Sequence, residues 1–210
     1  MIRSFQANSW RRINRKMNRS IENCIIKNSL HQSHDIIKKA VKPGDTVIDA
    51  TAGNGGDTVF LAELVGSEGR VYSFDIQQEA LDRTFAKLKA VGLEGRVTLV
   101  RDGHERMKEH VQGEVSAIMF NLGYLPKGDH QIGTRGGTTI AAVESAMDLI
   151  KRNGIITVVI YYGGDSGFEE KEQVLEYIRD VDCRRFTVSK TDFVNQINCP
   201  PILVCIEKLI

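Results

Sequence analysis

Apolar residues along the chain form short β-branched runs that alternate with longer stretches of helical spacing. The short runs predict seven strands, at residues 46–50, 71–75, 97–100, 115–120, 155–161, 185–189 and 202–207. The longer stretches repeat apolar residues every three or four positions and predict helices at residues 30–41, 58–64, 77–91, 138–152 and 168–179. Gly92 and Asn153-Gly154 follow two of these helices, as helix-ending residues often do.

The order of these elements predicts how the strands pair. Strands that alternate with helices form a mostly parallel sheet with helices on both faces. The last two strands have no helix between them, so we expect them to form an antiparallel hairpin. We therefore predict an α/β fold, a Rossmann-like doubly wound seven-stranded mostly parallel sheet with an antiparallel C-terminal edge hairpin. Such sheets bind ligands at the carboxyl ends of their strands, where the winding direction changes.

Charge is unevenly distributed along a chain of 210 residues whose formal net charge is only +1. Residues 1–42 carry ten Lys/Arg and two acidic residues, a local charge of +8. Residues 43–210 carry eighteen Lys/Arg and twenty-five acidic residues, a charge of −7. We expect a basic N-terminal extension over residues 1–28 and a folded domain over residues 29–210. The extension is compatible with an RNA-contacting arm, an organelle transit peptide or a frayed tail.

Composition excludes several classes of protein. No apolar run approaches the roughly 20 residues that a membrane-spanning helix needs. The four cysteines have neither zinc-site nor iron–sulfur spacing, so no metal is expected. Sparse, unpatterned cysteine is typical of a reducing compartment, and the cytoplasm is the expected location.

A glycine-rich loop follows the first predicted strand, over residues 49–57 (DATAGNGGD). Gly53 and Gly55 let the backbone turn sharply and approach a ligand closely. A dinucleotide fingerprint needs a third glycine where Thr58 stands, and no Gly-Lys-Ser/Thr follows for a triphosphate-binding loop. Acidic residues at both ends of the loop disfavour pyrophosphate and favour a ligand with an amine or sulfonium cation. The alternative is a tight turn without a ligand.

Two further acidic residues stand at the ends of the next two strands. Asp75 ends the second strand, where a carboxylate can accept hydrogen bonds from both hydroxyls of a ribose. Asp102 follows the third strand and can accept one from an adenine amino group. Together with the loop, this order resembles that of class I S-adenosylmethionine-dependent methyltransferases, and the resemblance implies S-adenosyl-L-methionine as the cofactor. Thr51 stands where many members of that class have glycine.

The segment after the fourth strand reads Asn121-Leu122-Gly123-Tyr124, at the place where methyltransferases hold the acceptor atom. Enzymes that methylate amines on bases often have Asn/Asp-Pro-Pro-Tyr there, and this chain keeps the asparagine and the tyrosine. Asn121 is expected to accept a hydrogen bond from an amine, and Tyr124 to stack on a base. Asp129, His130 and solvent are the candidates for taking a proton from an ammonium acceptor. The alternative is an apolar turn in which Tyr124 packs on the core.

From about His34 onward the chain resembles a family of rRNA methylases that includes the tRNA 5-aminomethyl-2-thiouridine methyltransferase. The matching strings begin at Asp49 (DATxGNG), Phe74 (FDIQ), Asp102 (DGH), Phe120 (FNLGYLP) and Phe193 (FxNQxNxPP). The resemblance implies methyl transfer to the exocyclic amine of 5-aminomethyl-(2-thio)uridine at the wobble position, with the anticodon stem-loop of tRNA as the partner. Tyr162 and Gly164 depart from the histidines of relatives, and residues 1–20 precede the usual start of the family.

These observations and the resemblance predict three overlapping groups of site residues. The catalytic group is Asn121, Tyr124 and Asp129. The cofactor group is Asp49, Thr51, Gly53, Asn54, Gly55, Asp57, Thr58, Asp75, Gln77, Asp102, His104 and Asn121. The substrate group is Tyr124, Lys127, Arg135, Tyr161, Asn195, Gln196 and Asn198. For the last three residues, an Asn-rich turn that satisfies its own backbone is the alternative.

Other functions remain open on the sequence alone. One is a methyltransferase that acts on rRNA or on a small-molecule amine. Another is a non-catalytic RNA-binding protein that has the same fold. A dehydrogenase is disfavoured by Thr58 and by the acidic residues around the loop. The sequence does not decide the tRNA species or the oligomeric state, so a homodimer stays open.

Overall fold

The structure, a computed structural model, describes residues 24–123, 136–162 and 167–210. Its α-helices are α1 (Ser29–Ala40), α2 (Gly56–Val65), α3 (Gln78–Ala90), α4 (Met107–His110), α5 (Gly136–Leu149) and α6 (Gly167–Arg179). Its strands are β1 (Thr46–Asp49), β2 (Arg70–Phe74), β3 (Val97–Val100), β4 (Val115–Leu122), β5 (Ile150–Ile160), β6 (Phe186–Thr191) and β7 (Ile202–Lys208). Short 3-10 helices at Glu94–Arg96 and His104–Arg106 were not predicted, because a single turn is too short to show periodicity.

The seven strands form one sheet in the order β3-β2-β1-β4-β5-β7-β6. Strands β1 to β5 pair in parallel, whereas β7 pairs antiparallel with both β5 and β6. This arrangement confirms the predicted fold, including the antiparallel edge hairpin. The winding direction changes at β1, which has β2 on one side and β4 on the other. The carboxyl ends of β1, β2 and β4 therefore flank the place where such sheets bind ligands.

The core lies on both faces of the sheet because side chains alternate along each strand. In β4, Ala117 and Met119 pack into the cluster that α1, α2 and α3 cover. Ile118 and Phe120 pack into the opposite cluster, beneath α4, α5 and α6. Continuous apolar runs are the expected pattern for strands that are buried on both faces.

The boundary between α5 and β5 differs from the prediction. The helix ends at Leu149, so its predicted continuation to Arg152 was wrong. Ile150 is fully buried and pairs with Val115 of β4. The register is irregular just beyond this pair, and Asn153 has a φ of 59°. Strand pairing and burial of one isoleucine thus override the helical spacing of the sequence.

Strand β4 extends two residues beyond its predicted end. Asn121 pairs with Val159 and Leu122 with Ile160, both in β5. Asn121 therefore lies on a paired strand rather than in a loop. That position restricts its backbone and gives its side chain a defined direction.

Some predictions fall outside the described residues. They concern Tyr124, Lys127, Asp129, His130, Arg135, Gly164 and residues 1–23. The proposed domain boundary after residue 28 stays a prediction, although Asn28 caps α1 by accepting a hydrogen bond from the His31 N–H at 2.9 Å. Over the described ranges, no helix is long and apolar enough to cross a membrane.

Candidate functional site

The loop between β1 and α2 is tied to both neighbouring strands. Ala50 N–H donates to the Met119 carbonyl of β4 and Ala52 N–H to the Phe74 carbonyl of β2, each at 2.8 Å. Gly55 has a φ of 72°, and a Cβ there would lie 2.9 Å from the Thr84 Cα of α3. Glycine is therefore required at position 55 both by the left-handed backbone and by the close approach of α3.

Asp49 ends β1, and its carboxyl lies beneath the glycine loop rather than on its surface. Its side chain is fully buried; Oδ1 accepts from Thr51 N–H at 3.1 Å and Oδ2 from the Thr58 hydroxyl at 2.5 Å. The Thr58 hydroxyl is also 2.9 Å from the Ser73 hydroxyl of β2. Burial, and next the charge of Asp57, raise the pKa of Asp49 to about 7. Asp49 and Thr58, both predicted as cofactor residues, thus shape the loop from beneath.

We expect Asp49→Asn to remove a pH dependence of stability. The pKa of the Asp49 carboxyl is about 7 in the folded state and near 3.9 in the unfolded state, so the folded protein retains this proton to higher pH. The free energy of unfolding should therefore fall as the pH rises from about 4 to 7, by on the order of 2–4 kcal/mol. Asparagine has no such proton, and its amide can donate to Thr58 while that hydroxyl donates to Ser73.

Urea unfolding of the wild type and of Asp49→Asn at pH 5 and pH 8 measures this effect. The difference between the two proteins isolates Asp49 from the other titrating groups. We expect the variant to gain stability relative to the wild type as the pH rises. The same pH slope in both proteins would show that Asp49 is already ionised when the protein is folded.

Asp75 connects the end of β2 to the glycine loop. Its Oδ2 accepts from Gly53 N–H at 3.0 Å and its Oδ1 from Gln77 N–H at 2.9 Å. A carboxylate has about four acceptor positions, so each oxygen retains capacity for another donor. The next residue, Ile76, is 54% exposed although it is apolar. Ile76 was not among the predicted site residues, although an apolar side chain directly after a strand-end carboxylate was a signal for it.

Asp102 has partners of its own at the end of β3. Its carboxylate accepts from Arg106, from Gly103 N–H at 2.8 Å and from His110 Nε2 at 2.8 Å. The hydrogen bond from His110, supported by Arg106, lowers the pKa of Asp102 to about 2. These contacts occupy much of its acceptor capacity, and its role toward an adenine ring stays a prediction.

His104 is buried beneath the same edge of the sheet. Its Nδ1 lies 3.2 Å from the Ala50 carbonyl, and its ring meets Phe120 edge to face at 5.7 Å between centroids. Burial lowers the pKa of His104, which favours the neutral imidazole. His104 therefore supports the loop after β1 from within the core.

Asn121 presents a buried acceptor at the end of β4. Its N–H donates to the Thr51 hydroxyl at 2.8 Å, and its side-chain NH2 donates to Asp57 Oδ2. Only the NH2 group can donate to a carboxylate, so Asp57 fixes the orientation of the carboxamide. The carbonyl oxygen Oδ1 is buried and has no hydrogen-bond partner within the described residues. Because an unpaired buried acceptor is costly, we interpret it as prepared for a donor from a ligand.

His34, Asp57 and Asn121 form a chain of three hydrogen-bonded side chains. His34 was not among the predicted site residues. Its Nε2 lies 2.6 Å from Asp57 Oδ1, opposite the oxygen that Asn121 uses. Its ring stacks on Phe60, with 4.0 Å between centroids and 9° between planes. Helical spacing was the available signal, because His34 lies one turn before the buried Ile37.

The predicted substrate residues that the structure describes lie at the same edge of the sheet. Tyr161 follows β5, and burial together with the charge of Asp57 raises its pKa. Asn195, Gln196 and Asn198 are exposed in the loop between β6 and β7, which returns to this edge because Ile202 pairs with Ile160. Those three form no hydrogen bond with the described site residues. Asn54 is likewise exposed, at the tip of the glycine loop.

Comparison with known proteins assigns a family. The sequence profile described as "Putative rRNA methylase" matches residues 71–207. A second profile, described as "Protein-L-isoaspartate(D-aspartate) O-methyltransferase (PCMT)", matches residues 2–119. The chain is 35% identical over 192 residues to an Arabidopsis thaliana "tRNA (mnm(5)s(2)U34)-methyltransferase, chloroplastic", covering 87% of this chain and 70% of the relative.

Solved structures agree with this assignment. A "putative rRNA-methylase" from Clostridium thermocellum has a TM-score of 0.88 and 62% identity, covering 89% of this chain and 100% of that one. A "putative methyltransferase" from Streptococcus mutans in complex with SAH has a TM-score of 0.81 and 38% identity, covering 88% and 100%. The chain therefore belongs to the rRNA methylase family and is an S-adenosylmethionine-dependent RNA methyltransferase.

Proposed function

We propose that this enzyme transfers a methyl group to the exocyclic primary amine of 5-aminomethyl-(2-thio)uridine at the wobble position of tRNA. The observation that carries the proposal is the buried, unpartnered Oδ1 of Asn121 at the end of β4. That oxygen accepts a hydrogen bond from an amine N–H and leaves the nitrogen lone pair available. The name of the Arabidopsis relative, a tRNA methyltransferase, supports the same substrate.

The residues beside the switch point fit S-adenosylmethionine. Asp75 retains acceptor capacity for two ribose hydroxyls, and Ile76 offers an exposed apolar side chain beside it for the adenine ring. Gly53 and Gly55 bring the backbone close to the ligand without side chains. When bound, the cofactor supplies an activated methyl group on a sulfonium, so catalysis depends mainly on alignment.

An acceptor that arrives as an ammonium must lose a proton before its nitrogen can attack the methyl carbon. Asp57 is not the proposed proton acceptor, because one of its oxygens accepts from His34 and the other from Asn121. Asp129 and solvent remain the proposed proton acceptors, with Tyr124 stacking on the base and Lys127 and Arg135 meeting phosphates. These four side chains lie outside the described residues.

Methyl transfer from labelled S-adenosylmethionine to bulk tRNA and to rRNA tests the substrate. The tRNA should come from cells that lack this enzyme, so that the acceptor amine is unmethylated. We expect label in tRNA, and nucleoside mass spectrometry should show 5-aminomethyl-(2-thio)uridine becoming one methyl group heavier. Label in rRNA alone would favour the alternative substrate. No transfer despite cofactor binding would favour a non-catalytic RNA-binding role.

Removal of residues 1–20 should weaken tRNA binding. This segment has six Lys/Arg and no acidic residue, and cations that neutralise phosphates release bound counterions. If half of them contact phosphates, the slope of log K against log salt should become shallower by about 2. Binding titrations at several salt concentrations measure both effects. A variant with the six cations replaced by glutamine controls for length, and unchanged affinity and slope would identify a tail or targeting segment.

The anticodon stem-loop, which contains the wobble uridine, is the proposed RNA element. The cytoplasm is the proposed site of action, because sparse, unpatterned cysteine is typical of a reducing compartment. Sedimentation analysis distinguishes a monomer from the homodimer that the sequence leaves open.

A further inference from the structure

His34 reaches the acceptor site from outside the glycine loop and the strand ends. It lies on α1, which precedes β1 and packs against β5 and β7. Its Nε2 is 2.6 Å from Asp57 Oδ1, and the side chains of His34 and Asp57 are only 21% and 12% exposed. Helix α1, which forms no part of the glycine loop, thus holds Oδ1 of Asp57 on α2 through His34.

The other oxygen of that carboxylate holds Asn121. Asp57 Oδ2 accepts from the side-chain NH2 of Asn121, so Asp57 bridges His34 and Asn121. A carboxylate held by a donor on each oxygen cannot rotate about its terminal torsion without losing both contacts. The direction of Asn121 Oδ1 therefore depends on the contact between His34 and Asp57.

The imidazole is itself held in place. Its ring stacks on Phe60 at 4.0 Å, and the ammonium of Lys38 lies 5.7 Å from the centre of the same Phe60 ring. His34 and Lys38 belong to α1 and Phe60 belongs to α2, so these ring contacts connect the two helices. This support makes His34 a fixed donor rather than a mobile surface group.

We propose that His34 is a positioning residue for methyl transfer, acting through Asp57 to aim the Asn121 carbonyl oxygen at the acceptor amine. The inference rests on the proposed function of Asn121. His34 touches neither cofactor nor substrate in this assignment. Its loss leaves Asp57 free to turn, and the Asn121 carboxamide then samples orientations in which its oxygen no longer meets the amine.

Turnover measurements with single and double variants test the connection. His34→Ala should lower kcat roughly 10- to 100-fold, because small misplacements of an aligning group cost this much, and leave the Kd for S-adenosylmethionine unchanged. His34→Gln places an amide donor near the position of Nε2 and should recover part of that loss. In an Asn121→Ala background, His34→Ala should cost nothing more, because residues that act as one unit are not additive. Full additivity of the two losses would overturn the proposal.

A readout without substrate separates this proposal from the proposed function. The side-chain NH2 protons of Asn121, assigned in ¹⁵N spectra by their disappearance in Asn121→Ala, should be shifted and protected from exchange by Asp57. His34→Ala should reduce that protection and His34→Gln should restore it. If the enzyme fails to methylate tRNA but this response appears, only the proposed substrate is wrong. An Asn121 signal that His34→Ala leaves unchanged would overturn the positioning role.

His31→Ala is the matched control for loss of a histidine from α1. The ring of His31 bonds through Nδ1 to Asn28 at the exposed start of the helix, at 2.8 Å. This variant should have wild-type turnover and an unchanged Asn121 signal. Unfolding curves for all variants verify that the folded state persists. A loss of turnover in His31→Ala equal to that in His34→Ala would show that α1 as a whole, rather than His34, is responsible.

Discussion

Asn121→Ala is expected to lower kcat for methyl transfer about 100- to 1,000-fold, the usual cost of removing one preorganised polar group from an active site. The Kd for S-adenosylmethionine should change little. The backbone N–H of Asn121 still donates to the Thr51 hydroxyl after the substitution, and Asp57 still has His34. The strand end therefore stays in place and only the acceptor for the amine is lost. Single-turnover kinetics with tRNA and calorimetry with S-adenosylhomocysteine measure the two quantities separately.

Thr157→Val is the matched control for this variant. Thr157 lies in the neighbouring strand β5, pairs with Met119 of β4, and also has a buried oxygen without a partner in the described part of the chain. Replacing that hydroxyl with a methyl group should leave turnover unchanged. If Asn121→Ala weakens cofactor binding as much as it slows turnover, Asn121 is a structural residue and the acceptor assignment fails.

Asp75→Ala is expected to raise the Kd for S-adenosylmethionine about 100-fold. A hydrogen bond to a charged acceptor contributes about 1.5–3 kcal/mol, and the variant loses two ribose contacts. It also releases Gly53 N–H, so part of the effect comes from a looser glycine loop. Each tenfold change corresponds to about 1.4 kcal/mol, which places the expected loss near 3 kcal/mol.

Calorimetry with S-adenosylhomocysteine and its 2′-deoxy analogue separates those two causes. The wild type should bind the deoxy analogue more weakly than the parent compound, and Asp75→Ala should bind both almost equally. Asp82→Ala removes an exposed carboxylate from α3, whose partner is Gln78, and should leave binding unchanged. If Asp75→Ala still binds the deoxy analogue more weakly than S-adenosylhomocysteine by the wild-type factor, Asp75 does not bind the ribose.

Much of the fold follows from local patterns in the sequence. β-Branched runs predicted all seven strands, and the missing helix before β7 predicted the antiparallel hairpin. The exceptions have tertiary causes. Ile150 joins β5 because Val115 offers it a buried partner, and Asn121 joins β4 because β5 continues beside it. Neither pairing leaves a signal in the neighbouring residues.

The site was less completely predictable than the fold. Spacing after the strands predicted Asp75 and Asn121 as site residues, because the carboxyl ends of parallel strands meet at one edge. It also suggested that the charge of Asp49 faces the cofactor, whereas the structure encloses that carboxyl beneath the loop. Whether a strand-end side chain points outward or inward depends on the hydroxyl groups around it, here those of Thr58 and Ser73.

By itself, the sequence determined the α/β architecture and the family, and it predicted the edge of the sheet at which the candidate site lies. Those properties depend on hydrophobic periodicity and on residues close together in the chain, which one sequence displays directly. Only the tertiary structure joined His34, Asp57 and Asn121, which come from three separate elements. Hydrogen bonds between such distant positions depend on how helices pack on the sheet. The direction of the Asn121 oxygen was therefore decided by packing.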